Sequence, residues 1–218
     1  MSTPLPPHAG QPVVTRGTAL VDARAVVILV HGRGGSPQSI LALAPQIAPA
    51  LADVAYLAPA ASGESWYPMS FMAPMAQNEP GITSGVSVIH ALIHDVEAAG
   101  IPDERIILIG FSQGACLAST AALRRPRRYG GVIVFSGALI GPPGTQWRAD
   151  GDFAGTPIFL GCSDIDAHIP AARVRESAAH LERMGGAVTC RIYEGMGHAV
   201  NDDEIAFTRE LVERVARG

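Results

Sequence analysis

A serine between two glycines is the residue of this sequence best suited to covalent chemistry. It is Ser112 in the stretch GFSQG, which fits the pattern G-x-S-x-G of a serine on a tight turn from a strand to a helix. Gly110 and Gly114 leave room for that turn, because a Cβ there would crowd the neighbouring strand and helix. The turn would hold the hydroxyl above free N–H groups of the helix, which favour nearby negative charge. The pattern predicts a nucleophile, although it also arises by chance in loops rich in glycine and serine.

A base and an acid for this serine lie further along the chain. A serine hydroxyl is a weak nucleophile at neutral pH and needs a base that a third group orients. His198 lies in the stretch YEGMGHAV, and Asp164 and Asp166 lie in GCSDIDAHIP. Each alone has a simpler explanation, since a histidine often lies in a surface loop and an aspartate often caps a helix. Together, in the order serine, acid, histidine, they predict a catalytic triad.

These side chains must be positioned by strands and helices that alternate along the chain. Apolar, β-branched runs are typical of strands buried on both faces of a parallel sheet. They predict strands at residues 25–31, 53–60, 105–111, 130–137, 156–163 and 187–195. Segments of helical period predict helices at residues 37–51, 82–99, 113–124, 170–184 and 203–217. The predicted fold class is α/β, a doubly wound, mostly parallel sheet with helices on both faces, and ligands should bind beyond the carboxyl ends of its strands.

Length and composition limit the classes of protein to which the chain can belong. With 218 residues and 48% hydrophobic residues it can bury one sizeable core, which predicts a single domain over residues 1–218. Residues 1–24 are expected to form an N-terminal extension or edge strands. A net charge of −4 lacks the basic field that binding to nucleic acid needs. A mean hydropathy of +0.22 permits a homodimer without requiring one.

The sequence predicts a cytoplasmic protein without a transmembrane segment. Its first twelve residues carry no Lys or Arg and are not followed by the apolar segment of a secretory signal. The longest apolar run, residues 25–30, is too short to cross a bilayer. The three cysteines lack metal-type spacing and are interpreted as reduced core residues: Cys116, Cys162 and Cys190.

One long loop, residues 61–81, is predicted to form a substrate pocket. It is longer than a connection requires, and such loops are often functional. Its aromatic residues and methionines are too apolar for a free surface loop and are expected to line a pocket for an acyl or aromatic group. The candidates for contact with substrate are Trp66, Tyr67, Met69 and Phe71. Packing beneath the loop is the alternative for each of them. His168, near the candidate acids, is also expected to line the pocket.

Four motifs in a fixed order resemble those of a known family. They are LVHGRGGSP, GFSQGA, the Asp-x-x-x-Pro of residues 166–170, and YEGMGH. From about residue 25 onward the chain resembles the carboxylesterase/phospholipase family of serine hydrolases, which includes the acyl-protein thioesterases. The resemblance implies an α/β-hydrolase fold and hydrolysis of small-molecule esters or thioesters without a cofactor. It also implies that the triad consists of Ser112, Asp166 and His198.

The family pattern selects one of the two aspartates. Its acid lies four residues before a proline, which fits Asp166 and not Asp164. The family usually has a His-Gly pair before this acid, whereas the chain has Cys162 and Ser163 there. Asp166 is therefore predicted to be the acid, in a loop that departs from the family pattern.

An acyl-transfer site also needs N–H groups where the tetrahedral oxyanion forms. One is expected from Gln113, directly after the nucleophile. The resemblance assigns the other to Arg33, in the HGRGG loop after the first predicted strand. The alternative for that loop, a phosphate-binding loop, lacks the Lys-Ser/Thr pair and has Pro37 where a dinucleotide loop has its third glycine.

Two other patterns suggest metal ligands, and neither is favoured. His90 and His94 are spaced to share one face of a helix, but no Glu follows His90 as in H-E-x-x-H. Asp164, Asp166 and His168 alternate, but the triad already accounts for Asp166. No metal is therefore expected. Two other functions stay open: hydrolysis of another bond, such as a lactone or an amide, on the same fold, and small-molecule binding without catalysis.

Overall fold

In the computed structural model, which describes residues 4–48 and 53–218, a seven-stranded sheet forms the centre of the molecule. The strands are β1 (Val13–Gly17), β2 (Ala25–Val30), β3 (Val54–Pro59), β4 (Ile106–Phe111), β5 (Gly131–Phe135), β6 (Pro157–Ser163) and β7 (Ala187–Tyr193). Their order across the sheet is β1-β3-β2-β4-β5-β6-β7. Only the β1–β3 pair is antiparallel in the described sheet. The predicted α/β class with a mostly parallel sheet is confirmed.

Helices cover both faces of the sheet, because successive side chains of each central strand are apolar and point to opposite faces. The helices are α1 (Pro37–Leu41), α2 (Ala44–Ile47), α3 (Met75–Asn78), α4 (Gly81–Ala98), α5 (Gln113–Arg124), α6 (Ala171–Arg183) and α7 (Asp202–Arg217). In β2, Val26 and Ile28 belong to the core under α4, α5 and α6, whereas Val27 and Leu29 belong to the core under α1, α2 and α7. Within the described residues, no helix has both the length and the apolar character that crossing a bilayer requires.

The structure corrects two expectations, one about a helix and one about a cysteine. The helix predicted at residues 37–51 is broken into α1 and α2, because Pro45 lacks an N–H and its ring would clash with a continuous preceding turn. Residues 49–51 of that helix lie outside the described residues. Cys190 on β7, expected in the core, is exposed. The edge strand β1 comes from the N-terminal region, for which an extension or edge strands were expected.

The start of α7 determines where the loop carrying His198 ends. Asn201 caps this helix, since its side chain accepts the N–H of Glu204 at 2.9 Å and the Glu204 carboxylate accepts the N–H of Asn201 at 2.9 Å. Glu204 is fully buried, and its Oε1 has no hydrogen-bond partner within the described chain. Burial raises the pKa of this carboxyl from its ordinary 4.5 to about 7.

We expect Glu204 to make the protein less stable as the pH rises. Its pKa is higher in the folded than in the unfolded state, so the folded state binds more protons between pH 4.5 and 7, and the stability from this group is lost over that range. Glu204→Gln should therefore reduce the fall in the free energy of unfolding between pH 5 and pH 8 by about 2–3 kcal/mol. Urea denaturation at the two pH values measures this. Glu210→Gln, which changes an exposed carboxylate of the same helix, is the control. An identical pH dependence in wild type and Glu204→Gln would contradict the expectation.

Candidate active site

Ser112 lies on a strained turn between β4 and α5. Its φ of 54° and ψ of −121° are unfavourable for a residue with a Cβ. The turn is tight because α5 starts directly against the ends of two strands. A Cβ on Gly110 would collide with the carbonyl oxygen of Gly114, and one on Gly114 would collide with the carbonyl oxygen of Val30. The requirement for both glycines, expected from the G-x-S-x-G spacing, is thus confirmed.

Three side chains from separate segments meet at this turn. Oγ of Ser112 lies 2.8 Å from Nε2 of His198, and Nδ1 of His198 lies 2.7 Å from Oδ2 of Asp166. Because an ionised carboxylate only accepts hydrogen bonds, Nδ1 carries a proton and donates it to Asp166. Nε2 is then free to accept the hydroxyl hydrogen of Ser112. This arrangement can activate a serine hydroxyl for nucleophilic attack.

Asp166 is held in its ionised form. Its side chain has no access to solvent. Burial alone would raise its pKa, but hydrogen bonds from His198 and from the N–H groups of His168 (2.8 Å) and Ile169 (3.0 Å) outweigh burial and lower the pKa below its ordinary value. A negative charge is therefore available at neutral pH to orient the imidazole and to stabilise it when it is protonated.

Side chains from the end of β6 support the loop that carries His198. Oγ of Ser163 accepts the N–H of Gly197 at 3.0 Å, and Oδ1 of Asp164 accepts the N–H of Gly195 at 2.9 Å. Asp164 is thus placed against the loop backbone and not against the imidazole. The sequence marks Ser163 only as a departure from the family pattern. Its hydroxyl accepts a hydrogen bond that a glycine at this position could not accept.

Two aromatic rings flank the imidazole of His198. The ring of Phe111 lies 5.0 Å away and that of His168 lies 4.9 Å away, the latter edge-on. Phe111 is not among the site residues predicted from the sequence, although its position directly before Ser112, at the end of β4, indicates that it lies near the site. These rings limit the positions that the imidazole can adopt.

Two backbone N–H groups beside Ser112 are free to bind an anion. In the part of the chain that the structure describes, neither the N–H of Arg33 nor that of Gln113 donates a hydrogen bond. Gln113 is the first residue of α5, where helix N–H groups have no partner within the helix.

A cavity of about 580 Å³ opens beside Ser112. Its lining includes Arg33, Gln113 and four of the five residues predicted to contact substrate: Tyr67, Met69, Phe71 and His168. Among the described residues, no group of three or more His, Cys, Asp and Glu side chains is placed to hold a metal ion.

The part of the cavity wall that Tyr67 and Cys116 form is uncharged. Burial raises the pKa of Tyr67 well above its ordinary value and that of the Cys116 thiol to about 12. Cys116 lies one helical turn after Ser112 and is therefore a neutral thiol that does not compete as a nucleophile. Ile169 adds apolar surface that the sequence did not point to. Such a wall suits an apolar group better than a charged one.

The comparisons with known proteins agree with this geometry. The family described as Phospholipase/Carboxylesterase matches residues 12–215. The chain belongs to this family. Acyl-protein thioesterase 1 of Eremothecium gossypii is 30% identical to it over 86% of this chain and 88% of the relative. The protein is therefore a serine ester hydrolase, as the family match and the similarity to acyl-protein thioesterases indicate.

Two solved structures share the fold of this carboxylesterase-family protein. A phospholipase/carboxylesterase from Dyadobacter fermentans has a TM-score of 0.88 at 39% identity, covering 94% of this chain and 97% of that one. The Bacillus cereus carboxylesterase has a TM-score of 0.73 at 19% identity, covering 95% of both chains. The predicted α/β-hydrolase fold is therefore confirmed.

One residue predicted to contact substrate in this family member lies elsewhere. Trp66 is 0% exposed and is not part of the cavity lining. Its indole N–H donates to the carbonyl oxygen of His31 at 2.9 Å, and its ring packs against the rings of His8 and His31. Packing beneath the loop, the alternative for each apolar residue of residues 61–81, is what the structure shows for Trp66.

Trp66 and Met69 should therefore respond differently to substitution. Trp66→Phe removes a buried hydrogen bond and part of a buried ring, and should lower the free energy of unfolding by about 2 kcal/mol. Met69→Ala, at a residue 48% exposed, should change it by less than about 0.5 kcal/mol but raise KM for a hexanoyl ester several-fold. Denaturation curves and steady-state kinetics on both variants measure this. A large KM effect of Trp66→Phe without loss of stability would contradict the assignment.

Proposed function

We propose that the protein hydrolyses carboxylic esters, and acyl thioesters, of small-molecule substrates through an acyl-enzyme on Ser112. The observation that carries this proposal is the hydrogen-bonded series from Ser112 through His198 to the buried Asp166. A pure binding protein has no need of this arrangement. The family relationship likewise does not favour the lactone, amide or binding alternatives.

The proposed reaction proceeds in two acyl-transfer steps. His198 Nε2 takes the hydroxyl proton as Ser112 attacks the carbonyl carbon, while Asp166 holds the tautomer and stabilises the imidazolium. His198 then gives that proton to the leaving alcohol or thiol, and the acyl group stays on Ser112. Water repeats the sequence and releases the acid. General base catalysis of this kind contributes about 10²–10⁴ in rate.

The developing oxyanion is proposed to bind the N–H groups of Arg33 and Gln113. Neither N–H group donates a hydrogen bond to a described residue, and both residues line the cavity beside Ser112. A donor of this kind is worth about 10²–10³ in kcat.

The acyl group of the substrate is proposed to lie against the apolar part of the cavity wall. Tyr67, Met69 and Phe71 supply apolar surface on one side, and His168 lies beside the imidazole of His198 on the other. The relative from Eremothecium gossypii is an acyl-protein thioesterase, which supports including thioesters among the substrates.

Three broader predictions about the protein remain proposals. We propose that residues 1–218 form one α/β-hydrolase domain and that the protein is cytoplasmic, and the composition permits a homodimer without requiring one. The three free cysteines support a cytoplasmic location. Light scattering on the purified chain separates a monomer of 22.7 kDa from a dimer, and cell fractionation locates the protein.

Ser112→Ala should abolish the hydrolysis of p-nitrophenyl esters. Loss of the nucleophile is expected to lower kcat by at least about 10⁴-fold, measured on esters of two to eight carbons. Ser119→Ala, at a buried serine of the same helix, is the matched control and should retain activity. Full activity of Ser112→Ala would refute the nucleophile. No activity of the wild type on any ester or thioester would favour a binding protein.

Asp166→Asn and Asp164→Asn should differ strongly in their effect on kcat. Asn at position 166 cannot hold the required tautomer, so kcat should fall about 10³–10⁴-fold. Among the described residues, the Asp164 carboxylate accepts hydrogen bonds from the N–H of Gly195 and the hydroxyl of Ser163 and makes none to His198, so kcat should fall less than about tenfold. Steady-state kinetics on one ester suffice to compare them. Equal small losses would mean that the acid is wrongly placed.

A further inference from the structure

The side chains of the two proposed oxyanion residues hold the same five-residue stretch of the pocket loop. The guanidinium of Arg33 donates to Oγ of Ser65 (3.1 Å) and to the carbonyl oxygens of Pro68 (2.9 Å) and Met69 (2.7 Å). The amide of Gln113 lies against the same stretch: its Oε1 accepts the N–H of residue 66 at 2.8 Å, and its Nε2 donates to the carbonyl of residue 67 at 2.7 Å.

No regular structure fixes the backbone of this stretch, although the side chains of His8 and Asn78 also bond to it, at the carbonyl of Trp66 and the N–H of Met69. It contains no helix or strand. Among the described residues, no backbone-to-backbone hydrogen bond involves residues 65–69. The bonds that hold it come from side chains, and Arg33 and Gln113 take up the carbonyl oxygens of three consecutive residues, 67 to 69. The position of residues 67–69, which form one wall of the pocket, therefore depends on these side chains.

Arg33 is suited to this task by its shape more than by its charge. Within the described chain, no carboxylate lies within 4 Å of its guanidinium, so its partners are neutral oxygens. A planar guanidinium presents several N–H groups in a fixed fork that can bridge two neighbouring carbonyls, whereas an ammonium on a flexible stem has no such fixed geometry. The guanidinium carbon also lies 6.0 Å from the centre of the Tyr67 ring, another part of the wall.

We propose that the Arg33 side chain is a positioning residue that locks the wall formed by residues 67–69 to the oxyanion loop and thereby sets the preference for acyl length. The inference rests on the proposed ester hydrolysis. In the proposed binding mode, the methyl of an acetyl ester is too short to contact this wall. A longer acyl chain would contact Tyr67, Met69 and Phe71, which line the cavity, so its binding would depend on the position of the wall.

The test compares Arg33→Met with wild type on p-nitrophenyl acetate and hexanoate. The backbone N–H of residue 33 is kept in this variant, and the guanidinium is lost. We expect the ratio of kcat/KM for hexanoate to that for acetate to fall at least tenfold, with most of the change in KM for hexanoate. Arg105→Met is the matched control, because Arg105 also donates to a backbone carbonyl, that of Arg24, away from the cavity. Its ratio should not change.

A second readout does not depend on ester hydrolysis. Hydrogen–deuterium exchange of the peptide covering residues 65–72 should be at least tenfold faster in Arg33→Met than in wild type or Arg105→Met. Arg33→Lys is the second variant should Arg33→Met fail to fold, and its ratio should fall at least threefold, because an ammonium lacks the planar fork of donors that holds the two carbonyls and Ser65 together.

The outcomes separate this inference from the proposed function. An equal loss on both esters, or an unchanged ratio, would overturn the role in acyl-length preference even if exchange becomes faster. Unchanged exchange would overturn the lock itself. A wild-type protein inactive on every ester would refute the proposed function, while the exchange data would still decide whether Arg33 holds the loop.

Discussion

The close approach of α5 to the ends of β2 and β4 is the constraint on which the site depends. Gly110 and Gly114 allow the helix to start directly against the carbonyl oxygen of Val30, and this forces Ser112 into its left-handed conformation. Such a conformation costs about 1–3 kcal/mol and persists only where the surroundings impose it. Here the N–H of Ser112 donates to the carbonyl of Phe135 at 2.9 Å, which ties the turn to the end of β5. The buried parallel sheet thus stabilises the strained turn that presents the hydroxyl of Ser112.

The loops around this turn are held by side chains where regular structure is missing. The acid loop and the histidine loop follow neighbouring strands, and β6 pairs with β7 along its whole length up to Ser163. Beyond Ser163 the strands no longer pair. There the hydroxyl of Ser163 and the carboxylate of Asp164 accept backbone N–H groups of the loop that carries His198. The imidazole is therefore positioned by two successive kinds of hydrogen bond, first between strands and then from side chains to backbone.

Two buried histidines hold the start of the pocket loop in the same manner. Nε2 of His31 accepts the N–H of Ala61 at 3.2 Å, while its Nδ1 donates to the carbonyl of Gly32 at 2.8 Å. His8 accepts the N–H of Ser62 at 3.0 Å and donates to the carbonyl of Trp66 at 2.9 Å. Each ring needs one acceptor nitrogen and is therefore neutral, in agreement with burial, which lowers the pKa of both. These hydrogen bonds join the pocket loop, the loop that follows β2 and the N-terminal segment.

The sequence by itself determined the class of the fold and the chemistry of the site. Apolar runs that alternate with segments of helical period predicted the mostly parallel sheet, because a strand buried on both faces is apolar at nearly every position. The G-x-S-x-G spacing predicted the turn, because only glycine fits where backbones touch. Pro45 was a visible signal for the break between α1 and α2, whereas β1, a mostly exposed edge strand, carries no apolar run that would reveal it. Only the tertiary structure decided that Trp66 lies under the loop and that the Arg33 side chain holds it, because both depend on contacts between residues more than thirty positions apart in the chain.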